Sequence, residues 1–177
     1  MKRGFENAVL GNSLDGWAGE RWLDIRSANV RDIMLACLDF ARDKGCDGVE
    51  PDNMDGYRND AGFELTARDQ LDYNRFIAIE AHRRNLSVGL KNNLVQTAAL
   101  VDDFDFAVNE QCFEYDECDL LRPFIDSGKA VLNAEYAQRF VESETGRETL
   151  CQRSRQRKFS TLILPLALDD GFRFSCL

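Results

Sequence analysis

Residues 86–111 read LSVGLKNNLVQTAALVDDFDFAVNEQ, and this one stretch carries the pattern that decides the fold class. SVGL (87–90) and FAVN (106–109) are short apolar runs of the kind that form buried strands, and LVQTAALVDD (94–103) between them has a helical pattern. Strand, helix, strand within so short a span means two parallel strands joined by a crossover. Each strand run ends in polar residues: Lys91 and Asn92 after the first, then Asn109, Glu110 and Gln111 at the close of the second.

The same grammar extends in both directions. Further strand-like runs are AVLG (8–11), WLDI (22–25), DGVE (47–50), AVLN (130–133) and TLIL (161–164). Helical periodicity is clearest over 30–45 and 66–85, and weaker over 117–128 and 136–146. The segment 66–85 opens with a capping signal, Thr66 three residues before Asp69, and has Ile77, Ile79 and Ala81 in its apolar stretch. Gly45 is a suitable stop for the segment before it. Polar residues also gather after the other strands: Asp24 and Arg26; Glu50, Asp52, Asn53 and Asp55; Glu135 and Tyr136.

Repeated strand and helix units build either an open doubly wound sheet or a closed barrel. No GxGxxG or Walker-type loop occurs, which removes the main signal for a nucleotide-binding open sheet or a nucleotide-dependent enzyme. Functional residues collected from the ends of many strands fit a (β/α)8 TIM-type barrel. Seven strand runs in 177 residues, against about 250 for a complete barrel, predict one domain over 1–177 lacking its first strand.

Composition narrows the partners. Acidic residues outnumber basic ones 31 to 22, for a net charge of -9, which disfavours nucleic acid and suits a cationic ligand, although such a balance is first of all a solubility feature. No apolar run approaches the roughly 20 residues of a membrane span. The start, with its basic pair Lys2 and Arg3, lacks the apolar stretch of a signal peptide. Six cysteines without CxxC spacing and a single histidine, His82, argue against a Cys/His metal site. Cys112 with Cys118, and Cys151 with Cys176, are candidate bridges, with buried free thiols as the other reading.

The chemistry that a surplus of strand-end carboxylates serves without metal or cofactor is glycosidic cleavage, in which two carboxyl groups flank the scissile bond. Glu50 and Asp52 point the same way in strand geometry, and Pro51 between them suits a strand exit. Any one of these acids could equally be solvated or ion-paired.

The runs WAGERWLDIR (17–26), KGCDGVEPDNMDGY (44–57), LSVGLKNN (86–93), FDFAVNEQCFEYDEC (104–118) and KAVLNAEY (129–136) closely resemble the glycoside hydrolase family of endo-α-1,4-polygalactosaminidases, the spherulin-4-like proteins. The resemblance implies a TIM-type barrel, an α-1,4-linked galactosamine-containing substrate and no cofactor or metal. Carried onto this sequence, the aspartate of EPDN is Asp52 and the glutamate of NEQC is Glu110, the implied catalytic pair, with Glu110 as acid and Asp52 as nucleophile or base. Asp24, Glu50, Asp55 and Glu135 are candidate ligands for sugar ammonium groups, with Asn53, Lys91 and Asn109 as polar neighbours of the site. Tyr57, Tyr115, Tyr136, Trp17 and Trp22 are candidate stacking surfaces, plain core packing being the other reading of the tryptophans. Lys91 could also orient a carboxylate. The family's opening strand and secretion signal have no counterpart here, so the resemblance implies an extracellular protein while this chain leaves localisation open. A catalytically inactive carbohydrate-binding barrel is the rival reading.

Overall fold

The computed structural model describes residues 4–177 as an α/β protein of two compact units, Met1–Val88 and Gly89–Leu177. Lys2 and Arg3 lie outside the described residues.

In the first unit, β1 (Leu10–Ser13) and β2 (Arg21–Leu23) form an antiparallel hairpin. This corrects the expectation that residues 22–25 join the parallel strands. The turn between them, with Gly16 and Gly19 at positive φ, is too short for a crossover, so β2 has only β1 to pair with. Gly11 is fixed by close approach, since a Cβ there would lie 1.9 Å from the Ala61 carbonyl oxygen.

Two helices of 16 residues dominate this unit. α1 (Ala28–Asp43) starts on Ser27, whose hydroxyl accepts from the Asn29 N–H at 3.2 Å, and stops at Gly45 with φ 76°. α2 (Ala67–His82) starts on a full capping box: Asp69 N–H donates to the Thr66 hydroxyl at 3.1 Å, and Thr66 N–H donates to the Asp69 carboxylate at 2.9 Å. Thr66→Ala removes half of it and is expected to cost about 1 kcal/mol in a urea melt, with Thr66→Ser close to wild type. α2 buries Tyr73, Ile77 and Ala81 at every fourth position, whereas Ile79 falls off that stripe and is exposed. β3 (Gly48–Val49) pairs in parallel with Ser87 and Val88 of β4 (Ser87–Lys91).

In the second unit, the remainder of β4, β5 (Phe106–Glu110), β6 (Ala130–Glu135) and β7 (Ser160–Ile163) are parallel and adjacent in chain order, and β8 (Phe174–Ser175) closes the edge antiparallel to β7. The connections carry α3 (Thr97–Leu100), α4 (Arg122–Asp126), α5 (Gln138–Glu142) and α6 (Glu144–Arg157), with short 3-10 turns ahead of the first two. Register places Asn109 opposite Asn133 and Glu110 opposite Ala134. Side chains alternate across a sheet, so Asn109, Asn133 and Glu135 share one face and Glu110 stands on the other. The first of these faces meets α6, where the Ser154 hydroxyl reaches the Thr161 hydroxyl at 2.8 Å.

Disulfides join Cys112 to Cys118 and Cys151 to Cys176, with Cα separations of 4.7 and 4.8 Å, inside the range a bridge needs. Cys37 and Cys46 are free thiols.

Candidate active site

Each unit holds one of the two carboxylates singled out by the sequence. Asp52 follows β3 on a loop that the α2 core fixes from below: Gln70 donates to Asn74 at 2.8 Å, and Asn74 donates to the Met54 carbonyl at 3.1 Å, all three side chains being buried. Asp52 itself is exposed, and its Oδ1 accepts the N–H of Asn53, whose φ of 55° turns the chain sharply after it. The carboxylate lies at the meeting of two recesses. One, of about 150 Å³, includes Trp22, Asn53 and Tyr73; the other, of about 350 Å³, includes Glu50, Pro51 and Cys37. The larger one is within the size range of ligand clefts.

The candidate acids of the first unit differ in availability. Asp24 is committed to Arg26, which meets Oδ1 through Nε at 2.8 Å and Oδ2 through Nη2 at 3.0 Å, and this guanidinium holds the Asp24 carboxyl below its ordinary range. Asp24 therefore serves Arg26 before any sugar ammonium. Asp55 is half-buried, and burial pushes its carboxyl above the usual value. Tyr57 is also half-buried, and burial lifts its phenol; its hydroxyl has no hydrogen-bond partner among the described residues. Trp17 is exposed, and Trp22 lies against Gly56, where an added Cβ would come within 3.3 Å of the ring.

Glu110 ends β5 in a closely organised setting. Tyr136 donates to Oε1 at 2.7 Å, Asn92 Nδ2 donates to Oε2 at 3.2 Å, and Lys91 Nζ lies 3.4 Å from the same oxygen. Its backbone N–H donates to Asn92 Oδ1 at 2.9 Å. Three left-handed residues at two strand exits fix this corner: Asn92 at φ 50°, Asn93 at 46° and Gln111 at 64°. Left-handed non-glycine residues cluster where surrounding structure enforces them, often at functional sites.

Two of the residues singled out in the sequence lie buried. Glu135 is fully buried, and its Oε1 accepts from the Phe113 N–H at 2.8 Å and from Asn133 at 3.1 Å. It holds the loop after β5, and its strand parity turns it away from the Glu110 face. Burial raises its carboxyl above the ordinary value. Asn109 is likewise buried, and it donates to Asn92 at 3.2 Å. Tyr115, in contrast, is exposed on the disulfide-closed loop. Among the described residues, no group of three or more His, Cys, Asp or Glu forms a metal site, and no helix is long and apolar enough to cross a membrane.

Asn92 was visible after its strand but carried no role in the sequence reading. The signal was the tandem Asn92–Asn93 at a strand exit, since asparagine is the non-glycine residue most at home in left-handed backbone.

The sequence model of glycoside-hydrolase family GH114 matches residues 1–177. The chain belongs to that family. This GH114 chain is 42% identical in sequence to Aspergillus fumigatus Ega3, known from a crystal structure in complex with galactosamine, with a TM-score of 0.89 over 97% of this chain and 70% of that one. The glycoside hydrolase domain of PelA from Pseudomonas aeruginosa shares the fold at 14% identity, with a TM-score of 0.60 over 88% of this chain and 69% of that one. No curated protein matches the sequence. As a GH114 member, the protein is a glycoside hydrolase.

Proposed function

We propose that this GH114 chain is an endo-acting hydrolase of α-1,4-linked, galactosamine-containing polysaccharide, with Asp52 and Glu110 as its catalytic carboxylates. The observation that carries the reading is the shell around Glu110. Lys91 and Asn92 Nδ2 can only donate, so they hold Oε2 as an acceptor. The Tyr136 hydroxyl is different: it can donate to Oε1 or accept from it. The same geometry thus accommodates Glu110 with or without a proton on Oε1, as a group that gives its proton to the leaving oxygen and later regains one requires. Asp52, exposed beside a cleft, takes the role of nucleophile or of base for water. The α-1,4 bond breaks, the leaving oxygen receives the Glu110 proton, and water supplies the new hydroxyl at the anomeric carbon.

Substrate class rests on the galactosamine bound by the similar Ega3 and on the net charge of -9, which attracts a polycation. The parallel run β4 to β7, taken in chain order with carboxylates at the strand ends, is read as an arc of a (β/α)8 barrel. Two disulfides point to folding in an oxidising, extracellular compartment. Alkylating the native protein should then label two of its six cysteines, Cys37 and Cys46, and labelling of all six would refute that placement.

The function is tested by incubating the protein with a partly deacetylated α-1,4-galactosamine polymer. New reducing ends on internal fragments are expected. Polymer binding without new ends would mark a carbohydrate-binding protein instead.

A further inference from the structure

The Asn92 side chain touches Glu110 twice, and the two contacts dictate each other. The Glu110 backbone N–H has only a hydrogen to offer, so the amide end it meets, at 2.9 Å, must be Oδ1. Asn109 Nδ2, buried behind it, donates to the same oxygen at 3.2 Å. With Oδ1 fixed from two sides, the remaining end of the amide is Nδ2, and it faces Glu110 Oε2 at 3.2 Å. The backbone of Asn92 is held as well: its N–H donates to the Val108 carbonyl at 2.8 Å, and its φ is 50°. Asn92 therefore reads the position of the β5 main chain and passes it to the carboxylate at the end of that strand.

We infer that Asn92 is a positioning residue for Glu110, setting both the rotamer of its carboxylate and the oxygen on which it carries a proton. A fixed N–H donor on Oε2 reserves that oxygen as an acceptor, so the transferable proton resides on Oε1, beside Tyr136. The inference rests on Glu110 being catalytic and deepens that reading, and it separates Asn92 from a group that meets substrate.

Two substitutions expose the role. Asn92→Gly keeps left-handed backbone at no steric cost and removes the amide, so the chain path is preserved while Oε2 is left to Lys91 alone and the Glu110 N–H and Asn109 lose their shared acceptor. A misplacement of about 1 Å in a catalytic group costs on the order of 10²-fold, and kcat should fall by about that factor with KM little changed. Asn92→Asp keeps the acceptor for the Glu110 N–H but sets an anionic oxygen against Oε2 in place of the donor. The limb of the pH and kcat/KM profile that reports the acid should move to higher pH, since a neighbouring like charge favours the protonated carboxyl. Asn92→Gly should show the kcat loss without that upward displacement. Both variants are checked for a wild-type melting transition. A folded Asn92→Gly with wild-type kcat, or a folded Asn92→Asp with an unmoved profile, overturns the inference. The Glu110→Gln protein serves as the reference: if it is inactive while the Asn92 variants behave as wild type, only the positioning role falls, and if it is active, the catalytic reading and this inference fall together.

Discussion

Asp52→Asn and Glu110→Gln should each lower kcat on an α-1,4-galactosamine polymer by about 10³-fold or more, while polymer binding and the melting transition stay near wild type. Removing a general acid costs about 10² to 10⁴, and removing a nucleophile that works as part of a unit can cost more. The stability half of the prediction follows from the contacts. Asp52 is exposed, and an asparagine oxygen can still accept the Asn53 N–H. Glutamine at 110 can turn its oxygen toward Asn92 and Lys91 and its amide nitrogen toward the Tyr136 hydroxyl oxygen, so no donor is left facing a donor. The roles separate with an aryl galactosaminide bearing a good leaving group, which needs little protonation. That substrate should recover much of its rate in Glu110→Gln and little in Asp52→Asn. Hydrolysis persisting in both amide variants would show that the pair is wrong, and recovery in Asp52→Asn instead would exchange the roles.

Most of the second unit was legible because its strands announce themselves: SVGL, FAVN, AVLN and TLIL are apolar runs that became β4 to β7 within a residue or so. The Thr66 and Asp69 spacing gave the start of α2 for the same local reason. Reading failed where structure depends on distant partners. WLDI looked like another parallel strand, but its pairing is settled by the tight turn back to β1. One helical pattern was expected over 136–146, yet the chain there forms α5 and then begins α6, which continues to Arg157 on a nearly all-polar sequence. It is held by a narrow stripe of Leu150, Cys151 and Ser154 and by the bridge from Cys151 to Cys176, neither of which periodicity displays. The site shows the same division. Residue types at strand ends brought Asp52, Glu110, Lys91 and Tyr136 forward, since chemistry and local spacing select them. Glu135 was grouped with them because it also ends a strand. Sequence cannot show inter-strand register, and here register pairs Glu110 with Ala134, so a one-residue offset sends Glu135 to the opposite face.

That offset makes Glu135 a residue whose replacement by an apolar side chain should cost the fold measurably. Its Oε1 is the acceptor for the Phe113 N–H and for the Asn133 amide, and Phe113 lies within the loop that the Cys112–Cys118 bridge closes. Glu135→Leu leaves both donors unsatisfied in a buried place, and at about 1–3 kcal/mol for each such group the loss should be roughly 2–6 kcal/mol, seen as a lower urea midpoint. Glu135→Gln keeps an oxygen for the same donors and should fold with little loss, so the pair of variants separates the hydrogen bonds from the charge. The charge has its own signature. Burial raises the Glu135 carboxyl in the folded protein above its ordinary value of 4.5. Below that value both states hold the proton, and the folded protein is under no charge penalty at this site. As pH rises from there toward the folded value, the unfolded chain releases its proton first, and stability declines until the folded state ionises too. Urea melts from acid to neutral pH should therefore show wild type losing stability relative to Glu135→Gln, with the two curves parallel once the folded carboxyl has ionised. A difference between them that does not change with pH would mean that Glu135 takes up no proton preferentially in the folded state, and a Glu135→Leu midpoint equal to wild type would mean that the loop does not depend on it.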